Sequence, residues 1–411
     1  MKFRILKKKS PYRVHLDYAS TTPVASEVLE AMLPYFNVVW ANPSAIYKEG
    51  VQARKAVEDA RTELARTLKI RPLDVTFTSG GTESNNLALI GVVEALHKEG
   101  KSYEEMEIIS TKIEHPSILE TLNYLENLGA KVAYVSLNED GSIDMHSFES
   151  SLSPRTVLVT FAYVNSEIGV IQDVKKITRI VRAWNDAQNT HVYVHTDSSQ
   201  APLWLSCELD RLGIDLMTLD AGKCYGPKGV GVLAHRHWVK IVHIMHGGGQ
   251  EQGLRSGTEN TALIVGCVKA IVRAQKNYEA RSLAVSRLRE KLFELIQKEI
   301  PEAIINGSRE SRVANNVNIS LPGFDTEYAV IWLDSKGIAT STKSACGAQE
   351  STGSNVVREI THDNERALAT LRFTLGEETT EDDLIQTIKI LKEHLELMKQ
   401  TKPLWILPLI T

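Results

Sequence analysis

The chain has 411 residues, 43% of them hydrophobic and 24% charged, which excludes a disordered or fibrous chain and gives enough length for two domains. With 47 Lys and Arg against 51 Asp and Glu, the formal net charge is -4, so the basic footprint of a dedicated nucleic-acid binder is missing. Four scattered cysteines, Cys207, Cys224, Cys267 and Cys346, form no Cys-x-x-Cys pair, which excludes a disulfide framework or a thiolate zinc cage and suits a reducing compartment.

Met1 to Ser10 carry charge, and Asp17 interrupts any apolar run that could follow. No targeting segment is expected there, and the chain reads as cytoplasmic. The first two-thirds alternate helical and strand patterns. Ala53 to Leu68 carry one apolar stripe through Ala53, Ala56, Val57, Ala60, Leu64 and Leu68, which predicts an amphipathic helix. Short β-branched runs at Val75–Thr78, Ile108–Thr111, Val157–Phe161, His191–His195, Leu216–Leu219 and Gly231–Ala234 predict buried strands. Such alternation predicts an α/β fold, a mostly parallel sheet sandwiched by helices. From about Asn260 the texture changes to a long helical stretch from Thr261 to Ile300. Strand-like Asn316–Leu321 and Leu371–Leu375 and a closing helix, Asp382 to Lys399, complete a smaller α+β domain. The apolar tail Leu404 to Ile410 is too short to span a bilayer, and is read as docking on the protein or a partner subunit.

In a parallel sheet ligands sit beyond the carboxyl ends of the strands, so the residues there are the candidates for chemistry. After Val75–Thr78 comes Ser79-Gly80-Gly81-Thr82-Glu83-Ser84-Asn85-Asn86. Glycines at a strand-to-helix turn let backbone N–H groups converge on an anion, although a plain capped turn fits equally well. After His191–Thr196 stand Asp197, able to hold a protonated ring nitrogen, and Gln200; Asp197 could equally be an N-cap. Leu216–Leu219 leads to Asp220-Ala221-Gly222-Lys223-Cys224-Tyr225-Gly226-Pro227-Lys228. Lys223, among small and apolar neighbours, suits a partly desolvated nucleophilic amine, whereas the Pro-Lys-Gly setting of Lys228 reads as a turn. His115 precedes Pro116 and is either a proton shuttle or a helix-entry residue. Asn165 again lies just past a strand.

In this order the blocks resemble the pyridoxal-phosphate-dependent transferase fold of the aspartate-aminotransferase type, specifically the cysteine desulfurases of the class V aminotransferases. The resemblance runs from Leu16-Asp17-Tyr18-Ala19-Ser20-Thr21-Thr22-Pro23 to Leu371-Arg372-Phe373-Thr374-Leu375-Gly376. It includes Gly81–Leu87, Glu114-His115, Asn165–Gly169, Lys223–Gly229, His246–Glu251 and Arg255–Thr258. It implies a seven-stranded sheet, a large cofactor domain at residues 16–262, and a small domain from 1–15 and 263–411.

The resemblance further implies that pyridoxal 5'-phosphate is linked to Lys223 and that Asp197 pairs with its pyridine nitrogen. Gln200 would contact the ring hydroxyl, and His115 would stack on the ring and act as acid–base. Gly81 and Thr82 would hold the phosphate, with Thr258 contributing across a homodimer. Asn165 and Arg372 would hold the substrate carboxylate. Cys346, in a small polar loop, would be the nucleophile that takes sulfur from L-cysteine as a persulfide, releasing alanine. The long segment after it resembles the group serving an iron–sulfur scaffold or a tRNA-thiolation enzyme. One departure stands out: Asp220-Ala221-Gly222 replaces the family's Ser-x-His before the lysine. The expectation is that Asp220 points away from the phosphate or meets a cation, with weaker cofactor retention.

Other readings of the same residues are a selenocysteine lyase or class V aminotransferase, and a cofactor-poor docking scaffold. His235, His237, His243 and His246 cluster without an acidic partner and are read as solvated or core histidines, with no metal site expected. His246-Gly247-Gly248-Gly249 is similar to a lipase oxyanion loop, yet no G-x-S-x-G elbow exists to serve it. Direct nucleic-acid binding and membrane contact are not expected.

Overall fold

The computed structural model describes residues 13–342 and 353–400. Its strands are β1 (Val14–His15), β2 (Val75–Thr78), β3 (Glu107–Ser110), β4 (Lys131–Tyr134), β5 (Thr156–Ala162) and β6 (Tyr193–Asp197). They continue with β7 (Leu216–Asp220), β8 (Gly231–His235), β9 (Ile304–Ile305), β10 (Asn316–Ser320), β11 (Ile338–Ala339) and β12 (Thr370–Thr374). The main sheet has seven strands in the order β2-β8-β7-β6-β5-β3-β4. Only β8 runs against its neighbours. The carboxyl ends of β2, β3, β5, β6 and β7 therefore meet at one edge.

Consecutive side chains of each strand feed opposite cores, the period-2 geometry of a pleated strand. Leu158, Tyr193, Leu216 and Leu233 join Leu89, Val92, Ile118 and Leu122 of the helices Gly81–Lys98 and Pro116–Asn127. Their neighbours Val159, Val194, Met217 and Val232 join Val57, Leu64, Ile264 and Ile271 on the other face. The helices there are Lys48–Leu68 and Thr261–Lys276. Both faces are covered, so the strands read as unbroken apolar runs.

The first of these helices starts at Lys48, earlier than its apolar stripe predicts, and ends at Lys69 in the left-handed conformation. The long helical stretch from Thr261 divides at Asn277, whose φ of -132° leaves the helical region, into Thr261–Lys276 and Tyr278–Glu299. The smaller sheet is antiparallel, β12-β10-β9, and the helices Tyr278–Glu299 and Glu381–Gln400 pack on each other beside it. β1 pairs with β11 in parallel, Val14 opposite Ile338, tying Val14–His15 to the smaller domain's chain region. Among the described residues, no helix is long and apolar enough to cross a membrane.

Candidate active site

At the carboxyl edge of the main sheet lies a cavity of ≈ 160 Å³. Its lining includes Gly81 and Thr82 after β2, His115 after β3, and Asn165 after β5. Asp197 at the end of β6, Gln200 after it, Lys223 after β7, and Arg372 of β12 complete the set. The fold thus brings eight of the predicted residues together. Thr258 lines a different cavity, with Thr78, Ser79 and Arg255, on the other side of the β2 turn. Cys346 lies outside the described residues.

Lys223 occupies a short 3-10 turn after β7, and its Nζ donates to the carbonyls of Ala19 (3.0 Å) and Ser20 (2.6 Å). The rival, Lys228, is exposed and donates to the Thr22 carbonyl. Asp197 is held from both sides. Asn85 donates to Oδ2 at 2.8 Å and the Ser199 N–H to Oδ1 at 2.9 Å, leaving the carboxylate fixed at the strand end. Gln200 donates to the Ala19 carbonyl at 2.9 Å.

His115 caps the helix Pro116–Asn127, its Nδ1 accepting the Ser117 N–H at 3.1 Å. That bond fixes the proton on Nε2 when the ring is neutral. Burial pushes its pKa down, while the charge of Asp197 pulls the other way. His115 thus enters a helix and also faces the cavity. Beside it Glu114 is fully buried, and burial pushes its carboxyl up to about 8 despite the Thr111 hydroxyl, which donates to it at 2.5 Å.

Arg372 is nearly inaccessible. Its Nη2 donates to Asp17 (2.8 Å) and Ser20 Oγ (2.9 Å), and its Nη1 to the Ser166 carbonyl (2.9 Å). Its Nε is buried and has no hydrogen-bond partner among the described residues. Arg372 therefore lines the cavity with most of its donors already engaged by Asp17, Ser20 and Ser166. Asn165 also serves its own turn, as its Oδ1 accepts the N–H groups of Glu167 (2.9 Å) and Ile168 (3.0 Å).

The expectation for Asp220 is corrected. Its carboxylate turns into the cavity, where Oδ2 accepts the Gly81 N–H at 3.1 Å and Oδ1 accepts the Gly222 N–H at 2.8 Å. Its neighbours are backbone donors at the start of the helix Gly81–Lys98, where an anion is favoured. The β2 turn is tight: a Cβ on Gly231 would lie 2.5 Å from the Gly80 carbonyl carbon, so β8 can pass there only with glycine.

Sequence reasoning missed the supporting residues Asp17, Asn85 and Ser117, although Asp17 and Asn85 lie inside the blocks it singled out. The His246–Glu251 block proves structural at Glu251, which pairs with both guanidinium nitrogens of Arg61 at 2.8 Å, both side chains buried. His235 ends β8, whereas His237 lies beyond the strand. Among the described residues no group of three or more His, Cys, Asp or Glu could hold a metal ion. Cys207, Cys224 and Cys267 are free and fully buried, and burial pushes each thiol well above its ordinary range.

A family model for class-V aminotransferases matches residues 14–386. Cysteine desulfurase IscS of Dictyoglomus turgidum is 37% identical over 390 residues, spanning 95% of this chain and 96% of that protein. Its counterpart in Clostridium botulinum is 38% identical over 96% of this chain and 97% of its own length. Among solved structures, a NifS-like protein superposes with a TM-score of 0.86 at 32% identity, covering 94% of this chain and all of that one. SspA in complex with cysteine does so with a TM-score of 0.74 at 32% identity, over 89% of this chain and 99% of that one. Class-V aminotransferases and cysteine desulfurases are pyridoxal-phosphate enzymes. With matches that span nearly the whole chain, the protein belongs to the class-V aminotransferase family, in its cysteine desulfurase branch.

Proposed function

We propose that this chain is a cysteine desulfurase that binds pyridoxal 5'-phosphate in the β-edge cavity. It converts L-cysteine to L-alanine and passes the sulfur to an acceptor protein, an iron–sulfur scaffold or a tRNA-thiolation enzyme. The observation that carries this reading is the convergence on one cavity of Lys223, Asp197 and His115 from three strand ends of the main sheet and of Arg372 from the middle of β12.

The ring end of the cavity fits the cofactor by its donor set. Lys223 supplies the amine for the covalent link, Asp197 a fixed carboxylate for the ring nitrogen, and Gln200 an amide for the ring hydroxyl. Gly81 and Thr82 face the phosphate end, where Asp220 does not complement a dianion. When bound, the cofactor supplies a conjugated ring that accepts the electron pair left when the substrate Cα–H bond breaks.

The chain's own residues supply the rest. Arg372, with its unspent Nε donor, binds the substrate carboxylate with help from Asn165 and orients Cα toward Lys223. The Lys223 amine would take the Cα proton of the bound substrate. His115, neutral near pH 7 and protonated on Nε2, holds a proton at the cavity wall for return to the product. The Cys346 thiolate attacks the substrate sulfur; the substrate Cβ–S bond breaks as the S–S bond of the persulfide forms, and the carbon fragment leaves as alanine.

The proposal includes a homodimer to which Thr258 contributes. Phe36 (57% exposed), Val38 (71%), Trp40 (73%) and Ile46 (92%) form an apolar surface run, and Trp40 and Thr258 line one shared cavity. An apolar run this exposed suits burial against a second copy. The proposed domain division, 16–262 against 1–15 with 263–411, is supported by the pairing of β1 with β11. Scattered, unpaired thiols support a reducing, cytoplasmic setting.

The test is an absorbance spectrum of the purified chain with pyridoxal 5'-phosphate, before and after L-cysteine, with alanine assayed alongside. A visible band that shifts with cysteine, and alanine formed, supports the reading. A chain that stays colourless is a docking scaffold instead.

A further inference from the structure

The cradle for the cofactor's phosphate already holds an anion of the chain's own. Gly81 opens the helix Gly81–Lys98, and its N–H is one of the donors that a helix start leaves for a ligand. Here that N–H is given to Asp220 Oδ2 at 3.1 Å, while Oδ1 is anchored by the Gly222 N–H at 2.8 Å. On the other side a Cβ added to Gly81 would lie 3.1 Å from Ser199 Oγ, so the cradle is narrow. Asp220 lines the same cavity as Lys223 and Thr82.

We propose that Asp220 is a built-in competitor for the phosphate group, so that a phosphate-bearing ligand enters this site with uptake of a proton. A carboxylate and a phosphate dianion cannot share one set of backbone donors without strong repulsion. Protonating the phosphate relieves it, and the second phosphate pKa, about 6, lies close to working pH. The inference rests on the reading of this cavity as a pyridoxal-phosphate site.

The ionisable groups facing Asp220 come from several elements. Lys223 and Cys224 belong to its own loop, and His115 follows β3. Asp197 ends β6, and Cys267 sits on the helix Thr261–Lys276. Burial holds both thiols neutral and pushes His115 toward its neutral form. Lys223 is engaged by the Ala19 and Ser20 carbonyls, and Asp197 adds a second carboxylate to the cavity. The surroundings therefore leave Asp220 as the group whose charge the phosphate meets first.

The experiment uses the full chain stripped of cofactor, titrated by calorimetry with 4'-deoxypyridoxine 5'-phosphate and with 4'-deoxypyridoxine. Neither ligand has the aldehyde, so Lys223 chemistry does not contribute. The ratio of the two affinities isolates the phosphate. It is expected to fall roughly tenfold per pH unit above about pH 6, with about one proton taken up per phosphate ligand, read from two buffers of different ionisation heat. Asp220→Asn keeps an acceptor for the Gly222 N–H but removes the charge. In it the ratio should rise about tenfold or more near pH 8 and lose its downward slope; Asp220→Ser should do the same.

A wild-type ratio that does not fall with pH, without proton uptake, overturns the inference, and this holds even if both variants misfold. If pyridoxal 5'-phosphate still gives a visible Lys223-dependent band in that case, only the inference fails. If no band forms at any pH, the cofactor reading fails and takes the inference with it.

Discussion

The Arg372 guanidinium lies 2.8 Å from the Asp17 carboxylate, with its side chain 2% exposed and that of Asp17 19%. This ion pair ties β12 to the segment after β1, the same segment whose Ala19 and Ser20 carbonyls hold Lys223. One loop thus positions both Arg372, the proposed substrate-carboxylate receptor, and Lys223, the proposed reactive amine. Replacing Arg372 by Lys keeps a charge for Asp17 but loses the planar fork. The expected result is a KM for L-cysteine raised about 10- to 100-fold, equivalent to losing about 1.4–3 kcal/mol of binding. Arg372→Ala should also destabilise the fold by about 1–3 kcal/mol, because the partly buried Asp17 loses its partner and the bonds to Ser20 and Ser166 are lost. Steady-state kinetics and urea unfolding separate the two effects.

Glu114 offers a pH test of the packing behind the site. Its carboxyl is raised from 4.5 to about 8, chiefly by burial. Between those values the folded chain binds the proton and the unfolded chain does not, so stability falls as pH rises. Glu114→Gln removes that titration. The variant should therefore gain on the parent by up to about 1.4 kcal/mol per pH unit between roughly pH 5 and 8, with the difference vanishing near pH 4.5. Unfolding midpoints measured across that range check it; a difference that does not change with pH contradicts it.

His115 should be neutral in the working range because burial lowers its pKa below the ordinary imidazole value. His115→Ala is expected to lower kcat about 10²- to 10⁴-fold while a visible cofactor band remains. Ser117→Ala removes a hydroxyl 2.8 Å from His115 Nδ1 but keeps the backbone N–H that fixes the tautomer, so its loss should be smaller. Measuring kcat and the cofactor spectrum for both variants distinguishes a proton-handling role from simple cofactor retention.

Lys223 and Lys228 separate cleanly by substitution. Lys223→Ala should abolish the band of the covalently linked cofactor and all alanine formation. Lys228→Ala, altering an exposed side chain that donates to the Thr22 carbonyl, should retain the band. Spectra of the two purified variants with added cofactor decide the assignment.

Much of this was legible in the sequence because strand ends announce themselves. Buried β-branched runs stop, and the polar residue that follows, such as Asp197 or Lys223, has no packing reason to be there. The apolar stripe of the helix starting at Lys48 was equally plain, though its first turn carries too few apolar residues to show. The break at Asn277 was invisible, since the helical pattern continues on both sides and only the backbone turn marks it. Asp220 was misjudged for a specific reason. Charge logic sends a carboxylate away from a phosphate site, but free backbone N–H groups at Gly81 and Gly222 offer that carboxylate the same hydrogen bonds that a phosphate would receive. Such competition between a side chain and a ligand is not encoded in residue type or spacing.

The central claim is that sulfur leaves L-cysteine through Cys346. The most direct measurement is mass spectrometry of the Cys346 peptide after the cofactor-loaded chain meets L-cysteine without a reductant, with alanine counted in the same sample. The account predicts one added sulfur atom on Cys346, matched by alanine and lost on reduction, and neither product in Cys346→Ser. Alanine formed at the wild-type rate by Cys346→Ser, or sulfur found on Cys207, Cys224 or Cys267 instead, would contradict it.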